Sequence, residues 1–486
     1  MTPPLRFLVS AAHKSSGKTT ISIGLAAALT ARGRSVQTFK KGPDFIDPMW
    51  LTAASGRRCR NLDPWLSPDD EIVATFRRHS AGADVALVEG NKGLYDGLAL
   101  DGSNSNAALA KTLGLPVVLV LDARGMTRGI APLILGYQAF DRDLSIVGVV
   151  LNNLGGSRHE AKLRMVIEHY TEVAVVGAVH HDPRLTIVER HLGLMPSNES
   201  DDVPRRIADL GAAIGRQVDL DLLLSRIAVA PPLPAPAAPT VVTPPRAPVA
   251  DSDIRIGVAQ DRAFGFYYPD DLDALRAAGA TLVRLDTLAD THLPSVDALF
   301  IGGGFPELYA RELEANTALR ARIRSAIDAG LPVYAECGGL MYLARSLTVA
   351  GQTSRMVGAI PGDVVMRERP VGRGYVVLEE TDAFPWPSGG GDRTVRAHEF
   401  HYASLENLAP DVRCAYRVKR GHGIDGERDG VVVGNVLASF AHLRSTRERD
   451  WAARFVEFIR ASDYRQRRDG NIVYLAPMRG REALIV

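Results

Sequence analysis

The chain has 486 residues, of which 46% are hydrophobic and 23% charged, with a formal net charge of +1, as is usual for globular proteins. This length is enough for two or three domains, and the balanced charge gives no reason to expect nucleic acid or an anionic membrane as a partner. No apolar run is long enough to span a bilayer, no signal segment opens the chain, and the three cysteines are too scattered for a disulfide framework. We therefore expect a cytoplasmic protein.

The first half of the chain alternates between short apolar runs and helical patterns rich in alanine and leucine. Strands are predicted at residues 6–11, 35–39, 85–88, 117–121 and 146–151. Strand–helix–strand alternation of this kind predicts a parallel sheet with helices on its faces. We expect one doubly wound α/β domain over residues 1–228.

A pattern close to the phosphate-binding loop lies between the first predicted strand and the first helix. Residues 12–19 are Ala-His-Lys-Ser-Ser-Gly-Lys-Thr, and Ala12 stands where the pattern normally has its first glycine. Backbone amides of such a loop face a phosphate, while Lys18 supplies a charge and Thr19 offers a hydroxyl to Mg²⁺. A helix cap without a ligand is the alternative. The predicted ATP-binding residues of the loop are Ser16, Gly17, Lys18, Thr19 and Thr20.

Charged residues follow the next two predicted strands. Lys40, Asp44 and Asp47 come after the second strand, and Glu89 closes the run at 85–88. Ligands bind at the carboxyl ends of strands in open α/β sheets, and carboxylates beside a phosphate loop suit Mg²⁺. Each acid alone is more typical of a solvated turn, but their arrangement at successive strand ends favours a site. We expect Mg²⁺ at Thr19, Asp44 and Glu89.

A proline-rich segment divides the chain. Eight prolines between residues 231 and 248 predict an extended linker, which we place at 229–252. A second α/β domain is expected over 253–465, and 466–486 form a weakly specified tail. Within this domain the sequence predicts strands at 254–259, 281–285 and 298–301, a helix near 270–278, a strand-rich segment at 357–442 and a closing helix at 450–461.

The second domain contains a cysteine in an unusual setting. An apolar run ends at Cys337, and two glycines precede a helical pattern, which predicts a strand, a tight turn and a helix with the thiol at the bend. A helix N-terminus directed at the thiol would lower its pKa, although an isolated cysteine is more often a buried core residue. The glycine run at 302–304 suits an oxyanion hole, and an ordinary glycine-rich turn is the alternative. His442, after the apolar run at 431–440, suits a base for a thiol nucleophile, although a lone histidine there is more often structural.

Taken together, the motifs resemble those of the cobyrinic acid a,c-diamide synthase family, the glutamine-dependent amidotransferases of corrin and related tetrapyrrole synthesis. They lie at residues 12–19, 39–48, 61–65, 89–97, 190–194, 302–307, 336–341 and 398–402. The N-terminal half is similar to the dethiobiotin-synthetase type of P-loop domain. The C-terminal half is similar to a class I glutamine amidotransferase.

The resemblance implies roles for individual residues. Cys337 would attack the amide of glutamine, with His442 as its base and acid. Class I glutaminases usually carry a glutamate two residues after this histidine, but Arg444 stands there, so another group must orient His442. The implied oxyanion-hole and glutamine-binding residues are Gly303, Gly304 and Gly338. The further residues implied at ATP are Lys40 and Asn152, and those at the substrate are Asp47, Lys92, Tyr95 and Asp96.

The implied reaction phosphorylates a carboxylate with ATP and Mg²⁺, and ammonia from glutamine then displaces the phosphate. The leading substrates are the a and c acetate groups of cobyrinate or hydrogenobyrinate. Asn91 and Lys92 replace the Val-Met common in cobyrinate enzymes and resemble relatives thought to amidate sirohaem, which is a close second. A non-catalytic P-loop ATPase is a third hypothesis, and it leaves Cys337 and His442 without a purpose. A homodimer is left open.

Overall fold

The computed structural model describes residues 3–185, 187, 189–190, 193–231, 233, 254–387 and 391–464. The chain divides into two compact units, Met1–Val241 and Val242–Val486. Most of the predicted linker and the whole predicted tail lie outside the described residues, so the proposed domain boundaries stay predictions. None of the described helices is long and apolar enough to cross a membrane.

The first unit alternates strands and helices as the sequence predicts. Its strands are β1 (Leu5–Ala11), β2 (Val36–Lys41), β3 (Arg60–Leu62), β4 (Val85–Glu89), β5 (Val117–Asp122), β6 (Ile146–Leu154), β7 (Ala174–His180), β8 (Glu189–Arg190) and β9 (Gly193–Leu194). Its helices are α1 (Lys18–Ala31), α2 (Ile46–Ser55), α3 (Asp69–Ser80), α4 (Asn106–Leu113), α5 (Ile130–Phe140), α6 (Ser157–Tyr170), α7 (Val203–Gln217) and α8 (Leu220–Ile227).

The core of this unit is a sheet of seven strands in the order β3-β2-β4-β1-β5-β6-β7. Every neighbouring pair is parallel. Strands β2 and β4 are buried along their whole length, which is typical of parallel strands covered by helices on both faces. The predicted doubly wound fold is confirmed. Because β1 lies inside the sheet with strands added on both sides, its carboxyl end is a natural ligand site.

The second unit is also α/β but contains more strands. They are β10 (Ile254–Ala259), β11 (Phe264–Phe266), β12 (Ala280–Leu285), β13 (Ala298–Ile301), β14 (Gly303–Gly304), β15 (Val333–Glu336), β16 (Ala344–Val349), β17 (Gln352–Arg355), β18 (Ile360–Met366), β19 (Gly372–Glu380), β20 (Thr394–His401), β21 (Ala403–Glu406), β22 (Arg413–Arg420), β23 (Arg428–Val433) and β24 (Val436–Ser439). The helices are α9 (Pro269–Ala277), α10 (Ala310–Ala315), α11 (Thr317–Asp328), α12 (Gly338–Leu343) and α13 (Trp451–Ala461).

A mixed sheet of nine strands organises this unit, in the order β12-β10-β13-β15-β24-β23-β22-β19-β20. The strands from β12 to β24 are parallel, and those from β24 to β20 are antiparallel. The apolar run at 431–440 is divided between β23 and β24. Gly434, with φ 56°, makes the tight turn between them. This turn places β24 beside β15. Cys337 follows β15 and His442 follows β24, so the two residues come after neighbouring parallel strands.

Candidate active sites

The predicted phosphate loop joins β1 to α1, and the side chain of Asn152 braces it. Gly17 has φ 87° and immediately precedes α1. A Cβ at this position would lie 2.1 Å from Asn152 Nδ2, so the loop has room only for glycine here. Asn152 Nδ2 also donates to the backbone oxygen of Ser16 at 2.9 Å. In this structure Asn152, predicted to contact the nucleotide, is therefore bonded to the loop itself.

A cluster of charged side chains lies at the carboxyl ends of β2 and β4. Lys40 Nζ is 2.5 Å from Asp47 Oδ2 and 2.9 Å from Glu89 Oε1. Thr19 Oγ1 donates to the same two carboxylates, at 3.2 Å to Asp47 and 2.6 Å to Glu89. Burial would lower the pKa of Lys40, but the carboxylates of Asp47 and Glu89 outweigh it and raise the pKa. Lys40 is therefore a charged ammonium that neutralises this cluster.

Lys18 lies in the same region with a weaker hold on its proton. Burial, followed by the charge of Lys40, lowers the pKa of Lys18 to about 8, against the opposing effect of Glu89 and Asp47. A phosphate group bound in the loop would bring the negative charge that favours the ammonium form. The loop is thus arranged for an anion. Thr20, also predicted at ATP, is half-buried in the first turn of α1.

The predicted magnesium residues are partly brought together. Thr19 and Glu89 are in contact, whereas the Oδ1 atom of Asp44 accepts two backbone N–H bonds at the start of α2, at 2.8 and 3.1 Å. Asp44 Oδ2 is 4.0 Å from Lys40 Nζ, and 36% of the Asp44 side chain is exposed, so water limits the rise in pKa that burial and Asp47 cause. The contact to Thr19 comes from Asp47 instead.

These oxygens suit Mg²⁺. Glu89 Oε2 is buried and has no hydrogen-bond partner, which leaves it available to a cation. Mg²⁺ is typically bound by one or two carboxylates together with substrate phosphates, and Thr19, Asp47 and Glu89 would supply such a set. Within the described ranges, no three His, Cys, Asp or Glu side chains form a metal cage by themselves.

The predicted substrate residues lie on the loop after β4. Lys92 is exposed and has φ 41°. Tyr95 donates from its hydroxyl to the backbone oxygen of Tyr137 at 2.5 Å, and Tyr137 donates to that of Ala12 at 2.6 Å. Asp96 Oδ2 accepts from a backbone amide of the same loop at 2.8 Å. Tyr95 thus connects this loop to α5, whose Tyr137 contacts the phosphate loop, while Asp96 fixes the loop internally. Lys92 faces solvent.

Sequence reasoning missed the asparagines that surround Lys41. Its ammonium donates to Asn91 Oδ1 at 3.1 Å and to Asn104 Oδ1 at 3.2 Å, and burial lowers the pKa of Lys41 to about 8. Asn106 Nδ2 donates to Ser10 Oγ at 3.0 Å, which ties this cluster to β1. The signal in the sequence is the run Asp-Gly-Ser-Asn-Ser-Asn at 101–106, which leads into α4 at Asn106.

In the second unit, Cys337 lies at the predicted bend between β15 and α12. Its φ and ψ are 47° and −99°, a conformation that costs a non-glycine residue about 1–3 kcal/mol. Its amide donates to the backbone oxygen of Ser439 at 2.7 Å, which fixes the bend to β24. Burial and Glu307 raise the pKa of Cys337, although a bond from the Gly338 amide opposes them. Desolvation of the buried thiol therefore opposes the lowering of the pKa that a helix N-terminus was expected to cause.

The predicted oxyanion glycines converge around this cysteine. Gly303 and Gly304 form β14 and pair with β11. A Cβ on Gly304 would lie 2.0 Å from the backbone oxygen of Ala263, and one on Gly338 would lie 3.1 Å from Gly304 N. A Cβ on Gly303 would lie 2.7 Å from His442 Cε1. Only residues without a side chain allow the glycine loop, the cysteine bend and the histidine to approach so closely.

His442 is held at its backbone and at its ring. It exchanges two backbone hydrogen bonds with His398, at 2.7 and 3.2 Å. Its ring Nδ1 is 3.3 Å from Oε2 of Glu336, the residue before the cysteine. Arg444, at the position of the usual triad acid, instead pairs with Asp270. The contact to Glu336 is the feature of this site that sequence reasoning missed.

The strand topology and these residues define a class of protein. A cysteine–histidine pair beside a glycine loop, with a phosphate loop in the other unit of the chain, is the arrangement of a glutamine amidotransferase joined to a nucleotide-binding domain. Residues 8–194 match the CobQ/CobB/MinD/ParA nucleotide binding domain. Residues 255–449 match the CobB/CobQ-like glutamine amidotransferase domain.

Several relatives named cobyrinate a,c-diamide synthase are similar over nearly their whole length. That of Magnetococcus marinus is 44% identical over 455 residues, 94% of this chain and 97% of the relative. That of Methanosarcina acetivorans is 42% identical over 478 residues, 93% and 95% of the two chains, and that of Archaeoglobus fulgidus is 40% identical over 453 residues, 93% and 97%. The chain belongs to the cobyrinate a,c-diamide synthase family, a family of carbon–nitrogen ligases with glutamine as the nitrogen donor.

Proposed function

We propose that this protein uses ATP and glutamine to amidate the a and c acetate groups of cobyrinate or hydrogenobyrinate in cobalamin synthesis. The observation that carries the proposal is the presence in one chain of two complementary sites. One is the Thr19–Asp47–Glu89 cluster beside the phosphate loop, and the other is Cys337 with its glycine loop and histidine. The names of the near-full-length relatives support the substrate class.

Glutamine hydrolysis would begin at Cys337, whose thiol proton passes to His442 as the sulfur attacks the amide carbon. Because burial raises the pKa of the thiol, this transfer would accompany the attack. Backbone amides of Gly303, Gly304 and Gly338 would oppose the charge that develops on the amide oxygen. His442 then gives the proton to the nitrogen, the carbon–nitrogen bond breaks, and ammonia leaves. Water hydrolyses the thioester to release glutamate and restore the thiol.

Amidation would use the first unit. Lys18 and the loop amides bind the phosphates of ATP, and a carboxylate oxygen of the substrate attacks the γ-phosphorus, so that ADP leaves. Ammonia then displaces phosphate from the acyl phosphate to give the amide. Mg²⁺, when bound at Thr19, Asp47 and Glu89, would neutralise phosphate charge. When Mg²⁺ is absent, the ammonium of Lys40 keeps the carboxylates of Asp47 and Glu89 close together.

The test is an incubation with ATP, Mg²⁺, glutamine and one of three tetrapyrroles: cobyrinate, hydrogenobyrinate or sirohaem. We expect two added amides on a corrinoid, counted by mass spectrometry. Cys337→Ala should abolish the glutamine-dependent product and leave the ammonium-dependent product. Failure of either nitrogen source to amidate either corrinoid would contradict the proposal, and absence of glutamate release would favour a regulatory ATPase.

Sirohaem is the second candidate substrate because of Asn91 and Lys92. Asn91 is bonded to the buried ammonium of Lys41, and Lys92 is exposed beside it, so two cations lie close to the proposed substrate loop. Such cations suit a substrate with several carboxylates, and the choice between macrocycles depends on the assay. Amidation of sirohaem alone would replace the corrinoid in the proposal.

A further inference from the structure

We infer that Glu336 is the positioning residue that holds His442 in its reactive tautomer, in place of the acid that usually follows this histidine. The inference rests on the proposed glutamine hydrolysis and deepens it. Glu336 Oε2 is 3.3 Å from His442 Nδ1, and both side chains are 4% exposed. A contact between an acid and an imidazole that are both buried is only weakly screened by water.

The carboxylate of Glu336 is itself fixed by two donors. Its Oε1 atom accepts from the amide of Leu443 at 2.9 Å and from the hydroxyl of Tyr334 at 2.6 Å. These bonds fix the carboxylate and direct its other oxygen toward His442. Since a carboxylate oxygen can only accept, the proton of the imidazole lies on Nδ1. The Nε2 atom then carries no proton and can accept that of a thiol.

Arg444 occupies the position of the usual acid and makes a different contact. Its guanidinium pairs with Asp270 and lies 4.8 Å above the ring of Tyr268. The neighbouring amide of Ser445 donates to Asp271 at 2.9 Å. The chain after the histidine is therefore attached to the start of α9, while the acid comes from β15.

His398 is another titratable group beside His442. Their ring centroids are 6.4 Å apart, and the two residues exchange backbone hydrogen bonds. Burial, and then the charge of His442, lowers the pKa of His398 to about 3, so it remains neutral and does not stabilise an imidazolium. The carboxylate of Glu336 can stabilise that charge after proton transfer from Cys337.

Glu336→Gln tests this role directly. The glutamine oxygen can keep the bonds from Leu443 and Tyr334, which turns the amide NH₂ group toward His442 Nδ1. That arrangement favours the tautomer with the proton on Nε2, which cannot accept from a thiol. We expect kcat for glutamine hydrolysis to fall by about 10²- to 10⁴-fold, with the KM for glutamine little changed. Ammonium-dependent amidation should be retained.

Glu380→Gln is the matched control, because Glu380 is also a buried glutamate of the second unit. It pairs with Arg454 at 2.6 and 3.0 Å, on β19. Its replacement tests the general effect of neutralising a buried acid. We expect a loss of thermal stability and a kcat for glutamine hydrolysis within about 2-fold of the wild type, as for a residue that does not touch the reacting groups.

Nitrogen-15 spectra of labelled histidine provide a readout that a merely structural role would not change. The wild-type signal of His442, assigned by its loss in His442→Asn, should show a protonated Nδ1, and Glu336→Gln should move the proton to Nε2. An Nε2-protonated wild type overturns the inference, even if Glu336→Gln fails to fold. So does a folded Glu336→Gln variant with kcat within about 3-fold of the wild type. A wild type that releases no glutamate contradicts the proposed function instead, and the tautomer is still measured.

Discussion

Replacing Lys40 with methionine is expected to destabilise the first unit, because its buried ammonium neutralises two carboxylates. Its Nζ is 2.5 Å from Asp47 and 2.9 Å from Glu89, and the three side chains are 4%, 13% and 0% exposed. Methionine has a similar length but no charge. Removing one partner from a buried ion pair costs about 3–5 kcal/mol. We expect Lys40→Met to lower the free energy of unfolding by about 3 kcal/mol or more at pH 8.

The pH dependence of unfolding shows whether the loss of stability in Lys40→Met comes from the carboxylates that Lys40 neutralises. Burial already raises the pKa of Glu89, and loss of Lys40 removes the charge that opposes this rise. An acid whose pKa is raised in the folded state contributes stability at low pH, and this stability is lost as the pH rises through the folded-state pKa. The penalty of Lys40→Met should therefore be smaller at pH 5 than at pH 8. Added MgCl₂ should recover part of it by replacing the lost positive charge.

The measurement is urea unfolding followed by pulsed hydrogen exchange in peptides from β1, β2 and β4. Lys111→Met is the matched control, since Lys111 pairs with Asp141 at 2.8 Å but is 44% exposed. Such a surface pair is worth less than about 1 kcal/mol. Equal losses in the two variants, or a Lys40→Met penalty that is the same at pH 5 and pH 8, would refute the argument.

Three further predictions concern the second unit. Gly303→Ala should reduce glutamine hydrolysis and spare ammonium-dependent amidation, because the new methyl group would lie 2.7 Å from His442 Cε1; an unchanged kcat would contradict this. Alkylation of Cys337 by iodoacetamide, followed by peptide mass spectrometry, should be slow at neutral pH and accelerate as the pH rises, because burial raises the thiol pKa; a plateau below pH 8 would disagree. Arg444→Met should destabilise this unit by about 3 kcal/mol in thermal unfolding, because it removes the buried positive charge that pairs with Asp270, yet lower kcat less than Glu336→Gln does.

Much of the fold could be predicted because local signals agree with it. Buried parallel strands give continuous apolar runs, so the predicted and observed bounds of the principal strands differ by few residues. The glycines after Cys337 marked the bend correctly, since a chain that turns so sharply beside other backbone has no room for side chains. The thiol pKa could not be predicted in the same way. The direction in which the pKa of Cys337 shifts depends on how far the fold buries the sulfur, and no local sequence pattern contains that information.

The choice between Asp44 and Asp47 shows another limit. The two residues lie on either side of the first residue of α2, and the sequence around them is equally compatible with a solvated turn. In the structure Asp44 accepts bonds from the first amides of α2, while Asp47, one helical position further on, faces Thr19. The start of α2 decides which acid meets the cluster.

The role of Glu336 was not predicted from the sequence, although Glu336 stands in the same sequence context as Glu89, which was predicted. Each is a charged residue at the carboxyl end of an apolar strand, where an unpaired charge would be costly to bury. At Glu89 the charge meets Lys40, and at Glu336 it meets His442. Consecutive side chains of a regular strand point to opposite faces, so Glu336 and the cysteine after it would not normally serve one histidine. The positive φ of Cys337 ends that alternation, and in the proposed mechanism this strained bend is what allows the nucleophile and the positioning acid to be neighbours in sequence.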